Sequence, residues 1–401
     1  MNRPSAQDPS PGGTAPRDPT PAAVPRALSR LAAAGVSVWL DDLSRDLLES
    51  GELERLVVER AVVGLTSNPT ILAGALSTSE LYREQMVALV ARGVTVPRAV
   101  DALIVDDIRR ACDIMLGVRA RTAGRDGFVS LEVDPSLARD TAGTLRDARR
   151  LWSLVDRPNL MIKIPATPEG LPAITGCLAE GINVNATLIF SVERYRQVHD
   201  ACLAGLERAA ERGTDLSGLS SVASFFVSRI DTEIDGRLAR IGTPEALDLR
   251  GRVAVASARS AHRAFRETLA TARWRALAAA GARPQRPLWA STGVKDPACP
   301  DTLYVSRLVT PDSVNTMPRA TLEAFADHGE VGTAASHDGD DTAADVLDRV
   351  DRLGIDRGLV SQVLEDEGVA KFQASWDRLV RTVSDGLARI AATDSDEEAG
   401  Q

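Results

Sequence analysis

Asn159-Leu-Met-Ile-Lys163-Ile-Pro165 sets a single lysine in the middle of an otherwise apolar run. A strand alternates its faces with period two, so Met161, Lys163 and Pro165 share one side while Leu160, Ile162 and Ile164 share the other. Burial disfavours an ammonium there and raises the share of neutral amine, the form that attacks a carbonyl. The segment alone supports two readings equally: a nucleophilic amine, or a lysine paired with a carboxylate inside the protein.

The same rhythm extends outward in both directions. Short β-rich runs at Val36–Asp41, Val62–Thr66, Phe128–Val133, Leu160–Pro165, Ile182–Ile189, Ser221–Val227, Pro287–Thr292 and Val314–Met317 alternate with long helical patterns. The helical patterns include Ala99–Gly117, Thr141–Leu154, Val192–Arg212, Pro244–Gly281 and Ala370–Ala392. Eight strands favour a closed (β/α)₈ TIM barrel of the α/β class over an open sheet, and 401 residues suit a single such domain with extensions. Residues 1–25 hold seven prolines and predict a disordered tail, residues 26–392 the barrel with additional C-terminal helices, and residues 393–401 a short acidic disordered tail. Whether the helices after Gly329 cover the barrel mouth or pack on its side is left open by their pattern.

Composition narrows the function. With 47 basic against 56 acidic side chains and a net charge of −9, a general nucleic-acid surface is not expected, because phosphate backbones are bound through excess positive charge. No run of about 18 apolar residues spans a bilayer and the N-terminus lacks the apolar core of a secretory signal, so no membrane partner and a cytoplasmic location are expected. Cys112, Cys177, Cys202 and Cys299 form no CxxC pair, and His199, His262, His328 and His337 are scattered, so neither a metal site nor a Cys–His nucleophile is expected. All but three of the 47 basic residues are Arg; the exceptions are Lys163, Lys295 and Lys371. Lys371, placed near the start of a last helix, reads as ordinary surface charge.

Three further strands carry polar groups opposite an aliphatic face. Asn183, Asn185 and Thr187 alternate with Ile182, Val184, Ala186 and Leu188; Ser130 and Glu132 alternate with Val129, Leu131 and Val133. In a parallel barrel the aliphatic face meets the helices, so the polar one points into the lumen, where it needs partners or a ligand. Asp41 closes the first strand, where a helix N-cap is the commoner role, but Asp42 and Ser44 are equally placed to cap. Asn68-Pro69 ends the second strand in an abrupt turn, since Pro69 pushes Asn68 out of the α region. Ser224 lies within the sixth strand with Arg229 just beyond it, and Ser291-Thr-Gly-Val-Lys295 runs from the end of the seventh into its loop, a set of hydroxyl and cationic groups suited to phosphate.

Together Leu65-Thr-Ser-Asn-Pro-Thr-Ile71, Ser130-Leu-Glu-Val-Asp134, Met161-Ile-Lys-Ile-Pro-Ala166, Gly181-Ile-Asn-Val-Asn-Ala-Thr-Leu188 and Ala290-Ser-Thr-Gly-Val-Lys295 resemble the transaldolase family, in family order and at the length of its long bacterial subgroup. The resemblance implies a class I aldol mechanism without a cofactor, in which Lys163 forms a Schiff base with a ketose carbonyl. It further implies that Glu132 shuttles protons through a water and that Asp41 is the general acid/base at the hydroxyl whose deprotonation breaks the carbon–carbon bond. Asn68, Asn185 and Thr187 match positions that hold donor hydroxyls and the catalytic water; Ser224, Arg229 and Ser291 match the phosphate positions. Lys295 stands where shorter members carry an Arg soon after the Ser, and Asp42-Leu-Ser44 replaces their Thr-Gly-Asp, so the first loop is expected to differ.

The resemblance implies small sugar-phosphate substrates and a monomer or homodimer. The activity it implies is transfer of dihydroxyacetone from sedoheptulose 7-phosphate to glyceraldehyde 3-phosphate in the pentose phosphate pathway. The alternatives are a fructose 6-phosphate aldolase that releases free dihydroxyacetone, disfavoured by the length of the chain, and a catalytically silent sugar-phosphate-binding protein, disfavoured because Lys163, Glu132 and Asp41 are all present.

Overall fold

The computed structural model describes residues 24–332 and 337–399. Eight strands, β1 (Val36–Asp41), β2 (Gly64–Thr66), β3 (Val129–Glu132), β4 (Leu160–Pro165), β5 (Val184–Ile189), β6 (Ser221–Phe226), β7 (Arg286–Ala290) and β8 (Ser313–Met317), pair in chain order into a closed barrel. Each is parallel to its neighbours and β8 returns to β1. The alternation read in the sequence explains the layering: Leu160, Ile162 and Ile164 of β4 are wholly buried toward the surrounding helices, while Lys163 bonds across the lumen to the carbonyl of Ser67.

The N-terminal end of the lumen is closed by a buried polar plug. Arg286 donates to Ser37 Oγ and to Asp126 Oδ1, both at 2.8 Å, and Trp39 Nε1 donates to Asp126 Oδ1 at 3.1 Å. Trp39 lies against Gly64, where a Cβ would come within 2.3 Å of the indole. With that end filled, the open C-terminal rim of the barrel is where a ligand can enter.

Some boundaries differ from expectation. The stretch Pro244–Gly281 is three helices, Pro244–Asp248, Val253–Leu269 and Ala272–Ala279, because Gly251 takes a left-handed φ of 69° and Thr271 caps a new start by accepting from Trp274 N–H. The last helix starts at Arg357 and continues to Ala399, past Thr393 where a disordered tail was expected; after Gly386 no Gly or Pro occurs before Gly400 to stop it. Residues 1–23 of the expected N-terminal tail lie outside the described residues, and the first helix begins at Arg26.

The last helix also settles where the C-terminal region goes. It packs on the helices Pro69–Thr78, Arg83–Ala91 and Val96–Arg121 and reaches β5, so it crosses the barrel mouth. Thr70 Oγ1 and Ser375 Oγ share a hydrogen bond of 2.8 Å, Arg194 pairs with Glu365 at 3.2 Å, and Arg139 pairs with Asp366, which together fix the helix from three sides. Among the described residues no helix is long and apolar enough to cross a membrane.

Candidate active site

Strand register builds the centre of the site. Glu132 of β3 lies beside Lys163 of β4, and Lys163 beside Asn185 of β5, so three polar side chains meet at one level of the lumen. Lys163 is 4% exposed; its Nζ donates to the Ser67 carbonyl at 3.1 Å and stands 3.6 Å from Glu132 Oε2. That separation is an ion pair longer than a hydrogen bond. Neither carboxylate oxygen of Glu132 has a hydrogen-bonding partner among the described residues, and the same holds for Thr187 Oγ1 on β5. Burial pushes the Glu132 carboxyl up to about 7 against the opposing pull of Lys163.

Asp41 closes the other side. It accepts from Thr66 Oγ1 at 2.6 Å, and Thr66 shares a hydrogen bond of 2.6 Å with Thr316. The capping role belongs to Ser44, whose Oγ accepts from Leu47 N–H, so Asp41 is free of the helix that follows. Burial raises its carboxyl above the ordinary range, opposed by the Lys163 charge and then by the Thr66 bond. Two carboxyls whose ionisation is held back flank one amine, an arrangement suited to moving protons.

A cavity of about 190 Å³ opens from this centre to the rim, lined among others by Asp41, Asn68, Lys163, Ser224, Arg229, Ser291 and Lys295. Asn68 commits its Oδ1 to capping, accepting from Thr70 and Ile71 N–H, which leaves its amide N–H groups for a ligand. Ser224 donates to Asn185 Oδ1 at 2.7 Å while Asn185 donates to Ser130 Oγ at 3.0 Å; Asn185 therefore sits behind the wall and orients Ser224. Arg229, half-buried, lies in the first turn of the helix Ser228–Ile241, and Lys295 stands exposed at the rim. A larger cavity of about 640 Å³ lies alongside, between the end of β5 and the last helix, but it contains neither Lys163 nor either flanking carboxylate. Chemistry, not size, selects the smaller one.

A family model described as Transaldolase/Fructose-6-phosphate aldolase matches residues 38–383. The chain belongs to the transaldolase family. It is 59% identical over 361 residues to the transaldolase of Thermobifida fusca, covering 90% of this chain and 98% of that one. It is 55% identical over 362 residues to the transaldolase of Frankia alni, with 90% and 98% covered, and 57% identical over 361 residues to transaldolase 1 of Streptomyces coelicolor, with 90% and 95% covered. Those relatives support transaldolase activity for this enzyme.

Several features of this transaldolase escaped the sequence reading. Asn183 does not face the site: it donates to the carbonyls of Pro158 and Leu160 and accepts from Ser220 N–H, tying strand entrances together. Lys371 is exposed as expected, yet it lines the cavity instead of standing apart from it, and Phe372 beside it is buried with its ring 5.7 Å from Lys163 Nζ. Neither was readable from a helical pattern, because the crossing of the mouth by the last helix depends on contacts with distant elements. Leu188 and Ser291, at the ends of β5 and β7, both hold left-handed φ, 58° and 57°, which is costly for non-glycine residues. At Leu188 the register of β5 against β6 shifts, directly after Thr187. Ser291 is drawn over to the next helix: its Oγ shares a hydrogen bond with Ser228 Oγ and its carbonyl accepts from Ser228 N–H. Among the described residues no group of three or more His, Cys, Asp or Glu side chains is arranged to hold a metal ion.

Proposed function

We propose that the chain transfers a dihydroxyacetone unit from sedoheptulose 7-phosphate to glyceraldehyde 3-phosphate, giving erythrose 4-phosphate and fructose 6-phosphate, through a Schiff base on Lys163. The amine attacks the ketose carbonyl, and loss of water leaves an iminium whose positive charge acts as the electron sink for the adjacent carbon–carbon bond. Glu132 gives and takes the protons of that dehydration and of the final hydrolysis through a water that Thr187 helps to hold. Asp41 takes the proton of the hydroxyl beyond the breaking bond, the aldose departs, and the enamine attacks the incoming aldehyde by the reverse steps. The observation that carries the proposal is a buried Lys163 flanked by Glu132 at 3.6 Å and by Asp41 on the same cavity wall.

Transfer, as against simple cleavage, requires that the enamine survive departure of the first aldose. Phe372 and Phe226 line the cavity, and apolar walls that limit water favour that survival. The substrates are sugar phosphates, with the carbonyl end deep at Lys163 and the phosphate toward Ser224, Arg229, Ser291 and Lys295. The pentose phosphate pathway and the cytoplasm are the setting that fits this chemistry.

The test is product analysis with fructose 6-phosphate, with and without erythrose 4-phosphate. Sedoheptulose 7-phosphate formed only in the presence of acceptor supports transfer. Free dihydroxyacetone released at the full rate without acceptor selects the aldolase instead.

A further inference from the structure

All three lysines of a chain that otherwise uses Arg line one cavity: Lys163 at its floor, Lys295 and Lys371 at its rim. The rim cations arrive from separate elements. Arg229 comes from the helix after β6, Lys295 from the loop after β7, and Lys371 from the last helix. Among the described residues none of the three forms an ion pair with a carboxylate, although ion pairs are common elsewhere on this surface. Burial lowers the Arg229 guanidinium from its ordinary range; the charges of Glu132 and then Glu367 oppose this, but neither is paired with it. Three converging cations without a paired anion repel one another, and such a cluster is stabilised when a polyanion enters.

The approach of the last helix is built for this convergence. At Gly368 a Cβ would meet Leu188 Cδ2 at 3.0 Å and Arg229 Nη1 at 3.4 Å, so the absent side chain lets the helix pass close over both. Lys371, three residues on, falls on the same helix face. Phe372 contacts the Arg229 guanidinium from above, with its ring centroid 5.9 Å away. Burial lowers the Lys371 ammonium from its ordinary range, and the charges of Arg229 and then Lys295 lower it further.

We propose that Lys371 is a third cationic ligand for the substrate phosphate, supplied by the last helix and acting with Arg229 and Lys295. This rests on the sugar-phosphate reading above and deepens it: the last helix contributes a specificity-determining residue and does more than cover the mouth. An ammonium on a flexible stem acts here as a point charge for the phosphate, a role that the permanent charge of a guanidinium can also supply.

The experiment compares Lys371→Met and Lys371→Arg with the wild-type chain, using sedoheptulose 7-phosphate as donor and either glyceraldehyde 3-phosphate or unphosphorylated D-glyceraldehyde as acceptor. Orthophosphate inhibition is measured alongside as a binding readout. Lys371 is exposed, so both variants are expected to fold. Lys371→Met is expected to raise KM for glyceraldehyde 3-phosphate and the inhibition constant of orthophosphate about tenfold, the lower end for a charged contact. The rise for D-glyceraldehyde should be at least several times smaller, and Lys371→Arg should recover most of the loss. An equal rise for both acceptors, an unaltered orthophosphate constant, or no recovery by Arg overturns the assignment. If the wild-type chain transfers nothing between sugar phosphates, the underlying functional proposal fails instead, so the two failures are distinguishable.

Discussion

Replacing Glu132 by Gln tests how its burial sets the proton chemistry. The Glu132 carboxyl is raised from 4.5 to about 7 because burial outweighs the attraction of Lys163 at 3.6 Å. Every tenfold change in proton affinity corresponds to roughly 1.4 kcal/mol, so ionising Glu132 in the native protein costs on the order of 3 kcal/mol more than in the unfolded chain. The sign follows from linkage. The folded state binds this proton more tightly than the unfolded state, so the contribution to stability is fully present below about pH 4.5, is lost as pH rises, and is gone above about pH 7. Glu132→Gln cannot ionise. Relative to wild type, its stability should therefore improve by about 3 kcal/mol between pH 4.5 and 7.5, whatever constant offset the amide introduces. Urea denaturation of both proteins at five pH values across that range reads the difference. Parallel stability curves would refute the effect of burial on this carboxyl, and with it the idea that Glu132 is poised to give and take protons at neutral pH.

Other consequences are equally open to measurement. Asp41→Asn should lower kcat by about 10²- to 10⁴-fold, the usual range for a lost acid/base group, while the Schiff base still forms and can be trapped; loss of the trapped adduct would contradict the assigned step. Arg229→Ala should raise KM for phosphorylated substrates by about 10- to 150-fold, from the worth of a charged hydrogen bond, and an unaltered KM would remove Arg229 from the phosphate site. Gly64→Ala forces a Cβ to within 2.3 Å of the buried Trp39 indole, so a loss of about 1–3 kcal/mol should appear as a lower Tm; an unchanged Tm would mean that the plug yields easily.

The parts legible in the sequence are those governed by local period. Lys163 in β4, and Asn185 and Thr187 in β5, stand where alternation puts them, because a buried parallel strand leaves only one face for polar groups. Asn68-Pro69 announces its own turn, and the structure adds that the same side chain caps the next helix. Asn183 misleads because the alternation begins before the strand does: β5 starts at Val184, and the asparagine preceding it serves backbone groups. The single helix expected over Pro244–Gly281 fails at Gly251, whose left-handed backbone is a choice no hydrophobic pattern encodes. Lys371 and Phe372 are illegible for a further reason. Their place depends on a helix folding back over the barrel from the far end of the chain, fixed by Thr70–Ser375 and Arg194–Glu365 contacts between residues far apart in sequence.

The most direct test of the lysine chemistry is reductive trapping. The protein is treated with borohydride in the presence of fructose 6-phosphate, digested, and the modified peptide sequenced by mass spectrometry. A dihydroxyacetone-derived adduct on the peptide carrying Met161-Ile-Lys163-Ile-Pro165, absent from Lys163→Arg, is the predicted result. Guanidinium stays protonated and cannot form the imine, so the variant should also lack turnover. An adduct on Lys295 or Lys371, or none on any lysine, would contradict it.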